Sequence, residues 1–108
     1  MITGKILGNR YVINNNAADV SGFVPDMSAD IYYEVIRLID GKVLFLNEHL
    51  DRLQHSISGS GIDYPGNHRI INSLALLVNE NPFTEGNIRI SLQRSNGDKT
   101  VLQCYFIP

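Results

Sequence analysis

The sequence predicts an α+β fold in which a mainly antiparallel sheet carries two helices on one face, forming a two-layer sandwich. Three observations predict it. A hairpin signal, Asp40-Gly41, joins two apolar runs near the middle of the chain. Two segments with apolar residues at helical spacing follow, and two further strand-like runs close the chain. Strands, two helices and strands in this order favour helices gathered on a single side of the sheet.

The first half of the chain contains two predicted strand regions separated by a loop. Residues 5–13 are interpreted as a short strand or hairpin. The polar and small residues 14–30 are expected to form a surface loop. Ile31–Ile39 is rich in β-branched and aromatic residues and is expected to pair with 43–46.

Both helices are predicted from capping signals and apolar periodicity. Asn47 offers a side-chain oxygen to the free N–H groups of a first helix, which is expected to run to about Ser58. A second helix follows Pro65-Gly66 and stops at Asn81-Pro82. The first helix has a core-facing stripe with spacings of four, three and four: Leu46, Leu50, Leu53 and Ile57.

The last two strands, 87–93 and Thr100–Ile107, are joined across Asn96-Gly97. Alternation turns Arg89 away from its apolar neighbours, which must pack under the helices. The opposite face is expected to stay uncovered within this chain. Four residues are predicted to share it: Tyr33, Val35, Arg37 and Arg89. Their mixed character suits an interface with another domain or subunit, so we expect a homo-oligomer.

Composition excludes several classes of function. The chain has 108 residues, is 44% hydrophobic and carries a formal charge of -2, which indicates a globular domain and lacks the basic excess that nucleic-acid binding needs. No stretch has the length of a signal peptide core or a membrane span. The single cysteine, Cys104, favours a reducing compartment, and we expect a cytoplasmic protein.

Few residues carry candidate chemistry. The three histidines form no H-x-x-x-H pattern, so we expect no metal site. Cys104 lies in an apolar strand pattern and is expected to be a core residue rather than a nucleophile. Three arginines on regular elements remain: Arg37, Arg52 and Arg89. An arginine fork suits phosphate or carboxylate, but an arginine stem also covers apolar surface while its head stays in water, and the residues alone leave both interpretations open.

Two motifs at a fixed separation resemble a known family. Tyr33-Glu34-Val35-Ile36-Arg37 is followed by His49-Leu50-Asp51-Arg52-Leu53, and the strand of residues 87–94 carries one arginine and ends in another. The pair resembles the N-terminal part of the class IV aminotransferases, the pyridoxal-phosphate-dependent enzymes of fold type IV. These include branched-chain aminotransferase, D-amino acid aminotransferase and 4-amino-4-deoxychorismate lyase. The chain departs from the family at residues 28–31, where glycines are usual.

The resemblance implies roles for four residues. Arg52 would hold the phosphate of pyridoxal 5'-phosphate, whereas Tyr33, Arg37 and Arg89 would bind the substrate, and no catalytic residue is assigned. Residues 1–108 would be the small N-terminal domain of a two-domain enzyme. The Schiff-base lysine of the family lies in the larger domain, which is absent from this chain. We therefore expect the chain to be inactive alone and to bind no cofactor without that domain.

The activity implied by the resemblance is amino-group transfer between an amino acid and a keto acid. Two alternatives stay open. One is a lyase that eliminates pyruvate from an aminodeoxychorismate-like substrate. The other is a standalone binding module that has the fold without the chemistry.

Overall fold

A computed structural model describes residues 6–24, 31–94 and 99–108. Its order of strands and helices is that of an α+β domain, so the predicted fold class is confirmed. The elements are β1 Leu7–Ile13, β2 Asn16–Asp19, β3 Ile31–Ile39, β4 Lys42–Val43, α1 Leu46–Ile57, α2 Asn67–Asn79, β5 Gly86–Arg94 and β6 Thr100–Ile107. A short 3₁₀ helix, Val20–Gly22, follows β2.

The described strands form one six-stranded sheet with the order β2-β1-β6-β5-β3-β4. Every neighbouring pair is antiparallel. In the central three strands, Ile36 lies opposite Ile88, which lies opposite Phe106. All three side chains are buried. This row forms the middle of the apolar face because side chains directly opposite each other point to the same side of a sheet.

Both helices pack on that apolar face, as the periodicity predicts. α1 lies against β3, and α2 lies against β1 and β6. The buried residues of α1 are Leu50, Leu53 and Ile57, and those of α2 are Ile70, Ser73, Leu74 and Leu77. A single layer of apolar side chains therefore joins the sheet to both helices.

The prediction of a loop over residues 14–30 was wrong at its start, because Asn16–Asp19 forms β2 and pairs with β1. Asn14 and Asn15 make the connecting turn with φ values of 48° and 66°. Two consecutive left-handed residues match the twist of a hairpin, and asparagine tolerates that conformation better than most residues. The predicted loop residues 25–30 lie outside the described part of the chain.

The middle hairpin is shorter than predicted, since β4 is Lys42–Val43 rather than 43–46. α1 then begins at Leu46, with Phe45 rather than Asn47 at the capping position. Phe45 has a left-handed backbone with a φ of 55°, and its carbonyl accepts a hydrogen bond from the His49 amide at 3.0 Å. Backbone geometry, not a capping side chain, starts this helix. The predicted Asn96-Gly97 turn lies outside the described residues.

The face opposite the helices is less open than predicted. Three of its central residues, Ser91, Gln103 and Tyr105, are buried. Phe23 contributes to this cover because its ring contacts both Tyr11 and Tyr105, with centroids 5.2 Å and 4.7 Å apart. The exposed part of this face lies along β3, where Tyr33 is 52% exposed.

The end of α2 is tied to β1 by the side chain of Asn81. Its Oδ1 accepts hydrogen bonds from the amides of Asn9 and Arg10, at 2.7 Å and 3.1 Å. Its Nδ2 donates to the carbonyls of Arg10 and Leu77, at 3.0 Å and 2.9 Å. A Cβ at Gly8 would overlap Oδ1 of Asn81, and Gly8 has a φ of 91°, so only glycine fits here.

We expect Asn81→Ala to lower the free energy of unfolding by about 3 kcal/mol, because four hydrogen bonds are lost and backbone groups of β1 are left without partners. Urea unfolding followed by circular dichroism measures the change. Asn79→Ala, at the exposed last position of α2, is the control and is expected to change stability by less than about 0.5 kcal/mol. Equal effects of the two substitutions would contradict the role given to Asn81.

Cys104 is expected to be unreactive in the folded protein. Its thiol is fully buried in the core, and burial raises the pKa of Cys104 to about 12. Since the thiolate is the reactive form, a disulfide-exchange reagent at pH 8 should label no thiol in the native state and one thiol after unfolding in urea. Rapid labelling without denaturant would show that the β6 core opens readily.

Candidate functional site

Polar side chains lie on both faces of β3 because successive side chains of a strand alternate. Glu34 points toward the helices, and with His49 and Arg52 it forms what we call the helix-side cluster. Tyr33 and Arg37 point to the other face, where they and Arg89 form what we call the open-face cluster. The four site residues predicted from the sequence are therefore divided between two faces of one sheet.

The helix-side cluster is organised around a single carboxylate oxygen. Oε1 of Glu34 lies 2.7 Å from Nδ1 of His49 and 2.9 Å from Nε of Arg52. His49 and Arg52 are three residues apart on α1, so they share one side of the helix. The Glu34 side chain is only 12% exposed, whereas the Arg52 side chain is 63% exposed. A nearly buried carboxylate thus holds the base of a guanidinium whose outer part faces solvent.

The hydrogen-bond roles in this cluster follow from charge. An ionised carboxylate can only accept, so Nδ1 of His49 must carry the proton that is donated to Glu34. Nη2 of Arg52 lies 3.2 Å from the same ring nitrogen. Because both of these nitrogens carry hydrogens, that approach is a close contact and not a hydrogen bond. Within the part of the chain that the structure describes, Nη1 of Arg52 has no hydrogen-bond partner.

The sequence motifs assigned a role to Arg52 but none to Glu34. A signal was present, since the alternation of β3 puts this carboxylate on the same side as the buried Ile36 and Leu38. Acidic residues on a core-facing side require a partner. The arginine and histidine of α1 supply it.

The open-face cluster contains a stacked arginine and a hydrogen-bonded one. The guanidinium carbon of Arg89 lies 3.8 Å from the ring centroid of Tyr33, and Arg89 is only 7% exposed. Arg37 donates from Nη1 to Oδ1 of Asn87 at 3.2 Å, and its Nη2 lies 3.8 Å from Glu85. The ring of Tyr33 stabilises the buried cation through its electron-rich face.

The strand register brings Arg37 and Arg89 to neighbouring positions of the same face. Arg89 lies opposite Val35, two residues before Arg37, and Arg37 lies opposite Asn87, two residues before Arg89. This is the arrangement that alternation predicts. Two guanidinium groups on one face suit an anionic group such as a carboxylate. The substrate roles of Tyr33, Arg37 and Arg89 stay predictions.

Over residues 6–24, 31–94 and 99–108, no three His, Cys, Asp or Glu side chains are grouped closely enough to hold a metal ion. No helix in these ranges has both the length and the apolar character needed to cross a membrane.

Comparisons with curated proteins find relatives over most of the chain. Over 94 residues it is 34% identical to a D-alanine aminotransferase of Listeria innocua, an alignment that covers 83% of this chain and 32% of the relative. A D-alanine aminotransferase of Listeria monocytogenes is 32% identical over the same length, with the same coverage. The chain therefore spans about a third of the length of the curated relatives it matches.

Solved structures share the fold at low sequence identity. The branched-chain amino acid aminotransferase from Escherichia coli superposes with a TM-score of 0.79 at 17% identity, over 94% of this chain and 41% of that one. The PLP-bound form of a hypothetical aminotransferase from Mycobacterium tuberculosis has a TM-score of 0.73 at 18% identity, over 92% of this chain and 39% of that one. The family model for class IV aminotransferases matches residues 32–105. Because that match covers both clusters and more than half of the sequence, the chain belongs to the class IV aminotransferase family.

Proposed function

We propose that this chain is the small domain of a pyridoxal-phosphate-dependent aminotransferase that moves an amino group between an amino acid and a keto acid. The observation that carries the proposal is the helix-side cluster, in which an exposed guanidinium is held by a nearly buried carboxylate. Arg52 belongs to the His-Leu-x-Arg-Leu motif of the family to which the chain belongs. The Arg52 side chain is 63% exposed, so its charge is accessible to a ligand.

The donors of Arg52 suit the phosphate of the cofactor. Its Nε is used by Glu34, which leaves the outward N–H groups for an anion. A guanidinium binds phosphate oxygens through two parallel N–H donors, and these charge-assisted contacts are stronger than neutral ones. When bound, pyridoxal phosphate supplies an electron-withdrawing ring that accepts the electrons of a bond broken at the α-carbon of the amino acid. Arg52 contributes binding and orientation to that chemistry.

The open-face cluster is proposed to bind the substrate. Arg37 and Arg89 offer two cations on one sheet face, and carboxylates are present on both the amino acid and the keto acid. The guanidinium of Arg89 lies over the ring of Tyr33, and this cation–π contact helps to hold the arginine in place. The exposed ring of Tyr33 also offers apolar surface to the substrate's side chain.

The lysine that binds the cofactor covalently is proposed to lie in a larger domain outside residues 1–108. Lys42 lies in the short edge strand β4 and is exposed, and Lys99 comes directly before β6 and is also exposed. Neither position has the burial that lowers the pKa of a nucleophilic lysine. The two curated relatives are named aminotransferases, which favours amino-group transfer over the lyase alternative and the binding module.

We also propose a homo-oligomer in the cytoplasm. The exposed Tyr33 and Val35 lie beside Arg37 on the open face, a mixture typical of subunit interfaces. The single buried thiol, Cys104, is compatible with a reducing compartment. Sedimentation over a range of concentrations tests the first proposal, and a monomer at all of them contradicts it.

Arg52→Ala is expected to weaken pyridoxal phosphate binding by about 2 kcal/mol, or about 30-fold in Kd, because a charge-assisted contact to the phosphate is lost. Absorbance titration of the apo-enzyme that contains this domain measures the affinity. Arg69→Ala removes an exposed arginine from α2 and is the matched control, for which we expect no change. Unchanged affinity in Arg52→Ala would mean that Arg52 is only a surface residue.

The 108-residue chain alone is expected to transfer no amino group, because neither lysine in the described part of the chain, Lys42 or Lys99, is buried as a nucleophile requires. Incubation with pyridoxal phosphate, D-alanine and 2-oxoglutarate, followed by assay for pyruvate, tests this, with a full-length D-alanine aminotransferase as the positive control. A borohydride-trapped adduct on one specific lysine, together with turnover, would contradict it.

A further inference from the structure

We propose that Glu34 is a positioning residue that, supported by His49, fixes the guanidinium of Arg52 in the direction needed to bind a phosphate group. The inference rests on the proposed function, since it concerns how this chain presents Arg52 to an anion. It adds Glu34 and His49 to the site as residues that act through Arg52.

The geometry gives the guanidinium one fixed point. The Arg52 side chain is 63% exposed, and its Nε hydrogen bond of 2.9 Å to Glu34 joins it to the sheet. Glu34 lies on β3, which pairs with β5 along eight residues from Ile31 to Leu38. A long exposed side chain otherwise samples many rotamers, so this bond removes conformational freedom before any ligand arrives.

His49 holds the carboxylate rather than the arginine. Its Nδ1 donates to the same Oε1 atom at 2.7 Å, and its side chain is 15% exposed. His49 and Arg52, which are one helical turn apart on α1, both donate to the same oxygen of Glu34. These two hydrogen bonds limit rotation of the carboxylate. Glu34 thus keeps its orientation even though its partner Arg52 is mostly in solvent.

The charge of Glu34, taken alone, would weaken phosphate binding, whereas its positioning of Arg52 would strengthen it. A carboxylate beside Arg52 repels an incoming phosphate and offsets part of the arginine's attraction. If Glu34 acted only through charge, its removal would strengthen anion binding. If Glu34 acts by positioning, its removal weakens binding because the freed guanidinium must be ordered by the ligand. The two accounts differ in sign, which makes the proposal testable.

The test uses the ¹⁵N-labelled apo-enzyme that contains this domain, with inorganic phosphate as the probe. The heteronuclear NOE of the Arg52 Nε–H group reports its order without ligand, and its chemical shift during titration reports the Kd for phosphate. The variants are Glu34→Ala, Glu34→Gln and Arg52→Ala. Glu48→Ala is the matched control, because it removes an exposed carboxylate from the first turn of α1, the helix that carries Arg52.

Glu34→Ala is expected to lower the NOE of the Arg52 Nε–H group and to raise the Kd for phosphate about fivefold, the scale of ordering one flexible side chain. Glu34→Gln keeps an oxygen acceptor for Arg52 and is expected to retain most of the order and affinity. Glu48→Ala should match the wild type in both measurements. A general loss of structure would instead be visible as changed amide shifts throughout the sheet, and Glu34→Gln then supplies the decisive comparison.

Two results would overturn the proposal. Unchanged order of the Arg52 Nε–H group, or tighter phosphate binding, in both Glu34 variants would show that Glu34 does not position Arg52. This outcome leaves the proposed cofactor site intact, provided that Arg52→Ala abolishes phosphate binding. If Arg52→Ala leaves phosphate binding unchanged, the phosphate site itself is wrong, and both the proposed function and the role of Glu34 fail.

Discussion

The alternation of side chains along β3 is the constraint on which both the core and the candidate site depend. Ile36 and Leu38 extend the apolar face that packs under the helices, and Glu34, on the same side, meets α1. The residues that alternate with them along the strand, Tyr33, Val35 and Arg37, necessarily point to the opposite face. A shift of one residue in the register of β3 would bury Arg37 and expose Ile36, so the same pairing with β5 that builds the core also places Glu34 and the open-face cluster.

Glu34 is compatible with its position only because α1 starts where it does. A nearly buried carboxylate without partners is strongly unfavourable, and His49 and Arg52 remove that penalty. Their position along the chain depends on the abrupt end of β4 and on Phe45, whose left-handed backbone turns the chain into the helix. A bulky residue in this conformation is strained. The strain is located at the junction between β4 and α1. The same junction sets how α1 faces β3, so the start of the helix determines whether His49 and Arg52 reach Glu34.

The parts of the fold that were predicted correctly are those governed by periodicity. The two helices, the central strands and the faces of β3 and β5 follow from spacings of 3.6 and 2 residues. The errors occurred where left-handed backbone conformations determine the ends of elements, at the Asn14-Asn15 turn before β2 and at Phe45 before α1. Burial on the open face depends on a tertiary contact of Phe23, which no local pattern reveals. For the site, the motifs identified Arg52. Its pairing with Glu34 could not be predicted, because it depends on how closely α1 approaches β3.

The side chains that stabilise the core differ from those proposed to bind ligands. Burial of the row Ile36, Ile88 and Phe106 contributes several kcal/mol at about 25 cal/mol per Å² of apolar area. The ion pair of Arg52 contributes little to folding, because one partner is mostly in solvent and exposed pairs are typically worth less than about 1 kcal/mol. Glu34 adds nothing to the apolar core, and a neutral apolar side chain at that position would pack without needing two partners. A carboxylate placed there, with an arginine directed outward from it, is therefore better explained by what the arginine binds than by what the pair adds to folding.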